Sequence, residues 1–438
     1  MLKTFQKAFH IEEIRKKMIY TFLMLFVIRL GAQLPTPGVD TAFIQNFFAS
    51  QATDTFNLLT AFSGGSLTTM AIFALGVGPY ITSSIIMQLL AIAIPKIEEM
   101  QKEGEEGRKK IATITRYVTV GLALIESSAM SIGFGRQGLL KEYNFVSIAI
   151  VVLTLTAGSA FLMWIGERIT QHGIGNGISI ILLINILSGM PADFARLYAQ
   201  FVQGKELAKA LLAAVIIILV VLSVIVFTVL LQAGERKIAV QYSQKVQGRK
   251  TVGGQSTHIP LKVNTAGVIP IIFASSLLQM PIMLAAFLGK GEGDGIGGKI
   301  LTGLGSNNWF DPKNIQYSWG LIVYIILTVF FAYFYTSITF NPLEVANNMK
   351  KSGGFIPGIR PGKPTVEHLT KILNNVIFIG AVGLVIIQVI PFFFNGFFSA
   401  QVSFGGTSLI IVIGVILETM KQVESQMLVR NYKGFLNS

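Results

Sequence analysis

Ten apolar runs, each close to the length that crosses a bilayer, dictate what this chain can become. They lie near residues 18–34, 70–94, 113–133, 145–165, 174–190, 207–232, 265–289, 316–340, 370–394 and 403–420. A spanning helix needs about 20 mostly apolar residues. The composition agrees: 13% of the residues are charged, against about 25% in an average soluble domain. A 47.7 kDa soluble protein could not be given a polar coat from that supply. The expected fold class is therefore an all-α polytopic membrane protein. Fusing the fourth and fifth runs through "GIGNGIS" would leave nine spans, but it would scramble the charge pattern of the loops.

Loops rich in Lys and Arg stay on the cytoplasmic side. With the N-terminus inside, residues 1–17, 95–112, 166–173, 234–262, 341–371 and 419–438 hold 25 Lys and Arg, and the external segments hold 7. That asymmetry predicts an even number of spans in the plasma membrane, with both termini cytoplasmic. The opening "MLKTFQKAFHIEEIRKK" is basic and amphipathic, and no small-residue cleavage site follows, so the first apolar run is expected to stay. The formal net charge of +13 also favours contact with anionic lipids.

Two cytoplasmic loops are longer than topology requires. Residues 234–264 and residues 341–371 each run to about thirty, a length uncommon without a function. The second contains "KKSGGFIPGIRPGKPT", where prolines restrict φ and glycines permit turns. The tip at 355–361 is expected to hold a definite shape, suited to docking a cytosolic partner. On the other side, "FNLLTAF" (Phe56–Phe62) is too short to span and ends at Ser63-Gly64-Gly65. Either a re-entrant piece satisfied by surrounding protein or a helix lying flat at the interface fits it.

Prolines fall at matching places, Pro79 in the second segment and Pro270 in the seventh. Interrupted segments in corresponding positions of two halves point to an inverted repeat with a site between them. Both segments also carry small polar residues, Ser83, Ser84 and Gln88 in one, Ser275, Ser276 and Gln279 in the other. These suit close packing with hydrogen bonds across an interface, or merely ordinary packing. Ion-coupled transporters place ionisable residues at mid-membrane, yet His10, His172, His258 and His368 all lie outside the apolar runs. Neither a catalytic set nor a metal set can be assembled, and the absence of cysteine excludes thiolate ligands. "GDGIGGKI" (Gly293–Ile300) imitates a phosphate loop, but Ile300 replaces the Ser or Thr and no strand precedes it. No cofactor or small-molecule substrate is expected, and energy must come from a partner or a gradient. A secondary transporter for a small solute is the competing class; an intramembrane enzyme has no nucleophile or base to support it.

"FSGGSL", "IFALGVGPYI", "FLMWIGERIT", "HGIGNGISI", "QSTHIPLKVNTAGVIPIIFASS", "KKSGGFIPGIRPGKPT" and "FGGTSLIIV" recur in order from residue 60 to residue 412. In these the chain resembles the bacterial SecY family, the central subunits of the Sec protein-conducting channel. The resemblance implies ten transmembrane helices in two inverted five-helix halves around an hourglass pore. The halves would be residues 1–190, including a plug at about 55–69, and residues 191–438, with cytoplasmic loops 234–264 and 341–371. It implies a pore ring of Val77, Ile81, Ile178, Leu182, Ile272 and Ile411. The i,i+4 spacing of 77/81 and 178/182 is compatible with one face each. Val77 stands where isoleucine is expected as often.

The resemblance further assigns Phe56, Leu58, Leu59, Phe62, Ser63, Gly64 and Gly65 to the plug, which favours the re-entrant reading. A lateral gate between the second and seventh segments would have Ser83, Gln88, Ser275 and Ser276 in its seam. Arg249, Lys250, Gly358, Arg360 and Pro361 would face the SecA motor ATPase or the ribosome, whose RNA is met through phosphate pairing. Further partners implied are SecE and SecG subunits, signal peptides and nascent chains.

Overall fold

The computed structural model describes residues 9–47, 57–242, 245–247, 250–252, 256–287, 295–305, 309–310, 315–398 and 406–436. Phe56 and Arg249 lie outside the described residues. In chain order the first half contains α1 (Glu12–Gly31), α2 (Thr41–Phe47), α3 (Asn57–Ser63), α4 (Gly78–Ala93), α5 (Pro95–Lys102), α6 (Glu105–Phe134), α7 (Phe145–His172) and α8 (Gly177–Phe201). The second half contains α9 (Leu207–Ala233), strands β1 (Glu235–Tyr242), β2 (Lys245–Gln247), β3 (Lys250–Val252) and β4 (Ser256–Lys262), then α10 (Ile269–Phe287) and α11 (Ile296–Leu304). It closes with α12 (Trp319–Thr339), α13 (Pro342–Lys351), β5 (Gly354–Phe355), α14 (Lys363–Phe398) and α15 (Gly406–Leu436).

A helix occupies each of the ten expected spans. Among the described residues, six helices (α6, α7, α8, α9, α12 and α14) are long and apolar enough to cross a membrane unaided. The pair α4–α5 would be a seventh, but it bends by 103°. That bend turns the charged α5, with Glu98, Glu99 and Lys102, away from the axis of α4. α1 falls short because its first two turns carry Glu12, Glu13, Arg15, Lys16 and Lys17.

The fourth and fifth spans are separate helices, so the nine-span reading does not hold. Asn176 caps α8 by accepting from the backbone N–H groups of Ile178 and Ser179. The Gly177 N–H donates to Thr170 Oγ1 at 2.9 Å. A Cβ at Gly177 would sit 1.9 Å from the Gly166 carbonyl oxygen, so only glycine lets α8 start this close to α7. The second span departs from expectation: its helix begins at Gly78 and not near residue 70. Residues 64–77 run as successive turns, tied to the end of α1 by Thr36 N–H to the Met70 carbonyl and Ile72 N–H to the Leu34 carbonyl, both 2.9 Å.

Packing sorts the helices into two bundles. α6 packs on α7 and α4, and α7 on α8 and α1; in the other bundle α10 packs on α12, α12 on α14, and α9 on α15. The bundles meet along α8–α15 on one side and along α6–α10 on the other. α9 shows Leu211, Val215, Ile218, Leu222 and Val226 more than half exposed. On a chain short of polar residues, such a face is solvated by lipid.

The two long loops, 234–264 and 341–371, fold against each other as a small sheet, ordered β4–β1–β5. β1 and β4 are antiparallel from Glu235↔Lys262 to Gln241↔Ser256, and β5 adds through Gln241↔Phe355. Alternation along β1 buries Ile238 and Val240. They pack with Leu261, Ala346, Met349, Ile356 and Leu369 in one small core of their own.

Candidate functional site

α4 and α10 begin alike. Pro79 and Pro270 are each the second residue of their helix. Proline is welcome there because the N–H it lacks would be unpaired anyway and its φ is already helical. These prolines therefore start helices, correcting the expectation that they interrupt them. The interruption is real but lies upstream, in the irregular backbone before Gly78 and before Ile269.

Those starts, with α8 and α15, bring five of the six ring candidates together. Val77, Leu182, Ile272 and Ile411 are all at most 7% exposed and share one cluster, against which Ile81 packs half-buried. Both bundles contribute, Val77 and Leu182 from one, Ile272 and Ile411 from the other. Ile178 stands apart from this cluster. Half-buried, it lies over Gly166 of α7, where an added Cβ would meet its Cδ1 at 2.4 Å. The 178/182 spacing thus does not bring both side chains into the cluster.

Phe62, at the end of α3, belongs to the same cluster as the ring. α3 packs on α8, and its backbone is held by protein: Asn185 Nδ2 donates to the Phe62 carbonyl at 2.8 Å. The Gly64 carbonyl accepts from Arg29 Nη1 at 3.2 Å and Ser188 Oγ at 3.4 Å. Gly64 and Gly65 have φ of +66° and +84°, the left-handed region that glycine tolerates. Ser63 is buried, and its hydroxyl donates to the Thr60 carbonyl. Leu58 and Leu59 lie on α3. Irregular backbone satisfied by neighbouring helices is what a re-entrant segment requires.

The seam candidates divide. Ser83 is fully buried and donates to the Thr115 carbonyl of α6 at 2.8 Å, so it fastens α4 to α6. Ser275 donates to its own helix at Ile271 and Ile272. Gln88 and Ser276 are half-buried, and Gln88 Nε2 reaches Ser84 Oγ at 3.5 Å. In the second long loop Arg360 and Pro361 are exposed, as is Gly358 with φ +82°. The turn beneath them is rigid: Ile359 N–H bonds the Ile356 carbonyl, and buried Thr365 donates to the Arg360 carbonyl at 2.9 Å. Lys250 lies on β3.

Sequence reasoning missed Arg29, Asn185 and Ser188. The available signal was an arginine and an asparagine inside apolar runs, where each needs a polar partner. Their partners are backbone carbonyls far along the chain, which residue types do not reveal.

The SecY family model matches residues 71–420. The chain is 43% identical over 448 residues to the protein translocase subunit SecY of Bacillus subtilis (strain 168), covering all of both chains. Its fold is that of a structure concerning the plug domain of SecY in stabilising the closed channel and keeping a membrane seal, with TM-score 0.62 and 19% identity over 94% of this chain and 92% of that one. A canine Sec61 from a ribosome–channel complex of the endoplasmic reticulum matches with TM-score 0.57 and 18% identity, over 94% and 93%. The cluster shared by two helix bundles, the α3 segment docked beneath it and the full-length match agree: this chain belongs to the SecY family.

Proposed function

We propose that the chain is a protein-conducting channel that passes unfolded secretory polypeptides across the membrane and releases transmembrane segments sideways into lipid. The observation that carries this reading is the aliphatic collar drawn from both bundles, with Phe62 of the short α3 segment packed into it. A narrow apolar constriction dewets and so resists ions. Its side chains also fit around an extended polypeptide without offering it a specific hydrogen bond. Val77, Ile81, Leu182, Ile272 and Ile411 form this collar, and the segment around Phe62–Gly65 is the plug. The two halves, expected as residues 1–190 and 191–438, divide after Phe201 because α8 runs past residue 190, and they act as inverted repeats, a reading supported by the matched proline starts of α4 and α10.

Opening parts the bundles where α6 meets α10, and an apolar signal peptide partitions through that seam. Force comes from outside the chain, from a SecA motor ATPase or a translating ribosome. The docking surface is the basic loop carrying Gly358, Arg360 and Pro361, with Arg249 and Lys250 of the other long loop as further contacts. SecE and SecG are the expected companion subunits. The 25-to-7 distribution of Lys and Arg supports a bacterial inner-membrane location with both termini cytoplasmic.

The test is reconstitution into proteoliposomes with SecE and SecG, a presecretory chain, SecA and ATP. Protease-protected preprotein should accumulate only when all are present. Counterflow of a small solute without the motor, or no protected chain, overturns the reading.

A further inference from the structure

We infer that Arg29, Asn185 and Ser188 form a polar latch that holds the plug at the carbonyls of Phe62 and Gly64 and sets the threshold for its release. The inference rests on the channel reading and adds to it the residues that resist opening. The three donors come from two helices of one bundle, Arg29 from α1 and Asn185 with Ser188 from α8. Asn185 lies one helical turn beyond Leu182 of the collar, so the latch is adjacent to the constriction.

Their chemistry is unusual for the middle of an apolar assembly. Among the described residues no carboxylate lies within ion-pair distance of Arg29; its bond is to the Gly64 carbonyl. A cation in apolar surroundings is costly unless something compensates it. Asn185 is 3% exposed, and its Oδ1 has no partner among the described residues, while its Nδ2 is spent on the Phe62 carbonyl. The Phe62 carbonyl is thus the one partner of this buried side-chain amide among the described residues. The Phe62 carbonyl belongs to the last turn of α3 and the Gly64 carbonyl lies just beyond it, where no further helix supplies an N–H. Plug and donors therefore satisfy one another, and moving the plug orphans both sides until water or a passing chain replaces it.

Gly64 fits the same purpose. A Cβ there would stand 2.8 Å from Arg29 Nη1 and 2.9 Å from Asn185 Oδ1, on a backbone with φ of +66°. Replacing it should disrupt the latch from the plug side with every donor intact.

The experiment measures resting ion conductance of the reconstituted complex in planar bilayers, together with transport of a preprotein bearing a defective signal. Asn185→Leu should raise resting conductance about fivefold, the loss expected for one hydrogen bond. Arg29→Gln and Gly64→Ala should act in the same direction, and all three should pass defective signals more readily. Ser188→Ala should do less, since its bond is long and its hydroxyl also donates to the Asn185 carbonyl at 2.7 Å. Ser131→Ala removes a buried hydroxyl that bonds nothing among the described residues and should match wild type. Wild-type conductance in both Asn185→Leu and Gly64→Ala, with normal transport of the intact preprotein proving them folded, overturns the latch. A wild-type complex that transports no preprotein overturns the channel reading instead, and the latch with it.

Discussion

Arg360 shows how a single position can be exposed and yet sharply defined. Its guanidinium faces solvent, while its carbonyl is held by Thr365, itself 1% exposed. Reversing its charge should leave the packing beneath untouched, so Arg360→Glu is expected to change stability by no more than about 0.5 kcal/mol. Motor-driven transport and ribosome binding should both fall, measured by protected preprotein and by co-sedimentation with ribosomes. Normal values of both would remove Arg360 from the docking surface. The shape of its loop was readable in advance from proline and glycine placement. The fate of Ser83 was not. A buried serine can bond forwards or backwards, and only the position of Thr115 on α6 decides which.

At the scale of the element, helix starts decide which side chains meet. Because α4 begins at Gly78 and α10 at Ile269, the collar is built from helix ends and not from helix middles. Ile272→Asn places an amide in a site 7% exposed, where an unpaired polar group costs about 1–3 kcal/mol. It should weaken the closed state and let defective signal sequences through. Ile178→Asn should affect signal selectivity less, because that side chain lies over Gly166 outside the collar cluster. Equal effects of the two in a transport assay would place Ile178 back in the collar. The family resemblance named both residues within apolar runs, but the helix face a neighbour occupies is a property of the pair.

For the whole molecule, the question is where two bundles separate. The α8–α9 connection joins the bundles through the chain, and α9 packs on α15, whereas no connecting segment links α6 directly to α10. The second is the seam proposed to open. Cysteines at Gln88 and Ser276, joined by a short bifunctional thiol reagent, should block export while sparing motor binding. The protein has no native cysteine, so the background is clean. Export that continues at the wild-type rate after complete crosslinking would exclude lateral separation of these helices.

The sequence by itself determined the all-α membrane class, the places of the apolar helices and the family. Those properties depend on local hydropathy, on charge counts and on motifs contiguous in the chain. Only the tertiary structure decided that residues 64–77 run as turns, that Ile178 lies over Gly166 and that Arg29, Asn185 and Ser188 bond the carbonyls of Phe62 and Gly64. In each case the deciding partner is a backbone carbonyl or a glycine surface on another element, and a carbonyl is the same whatever residue carries it.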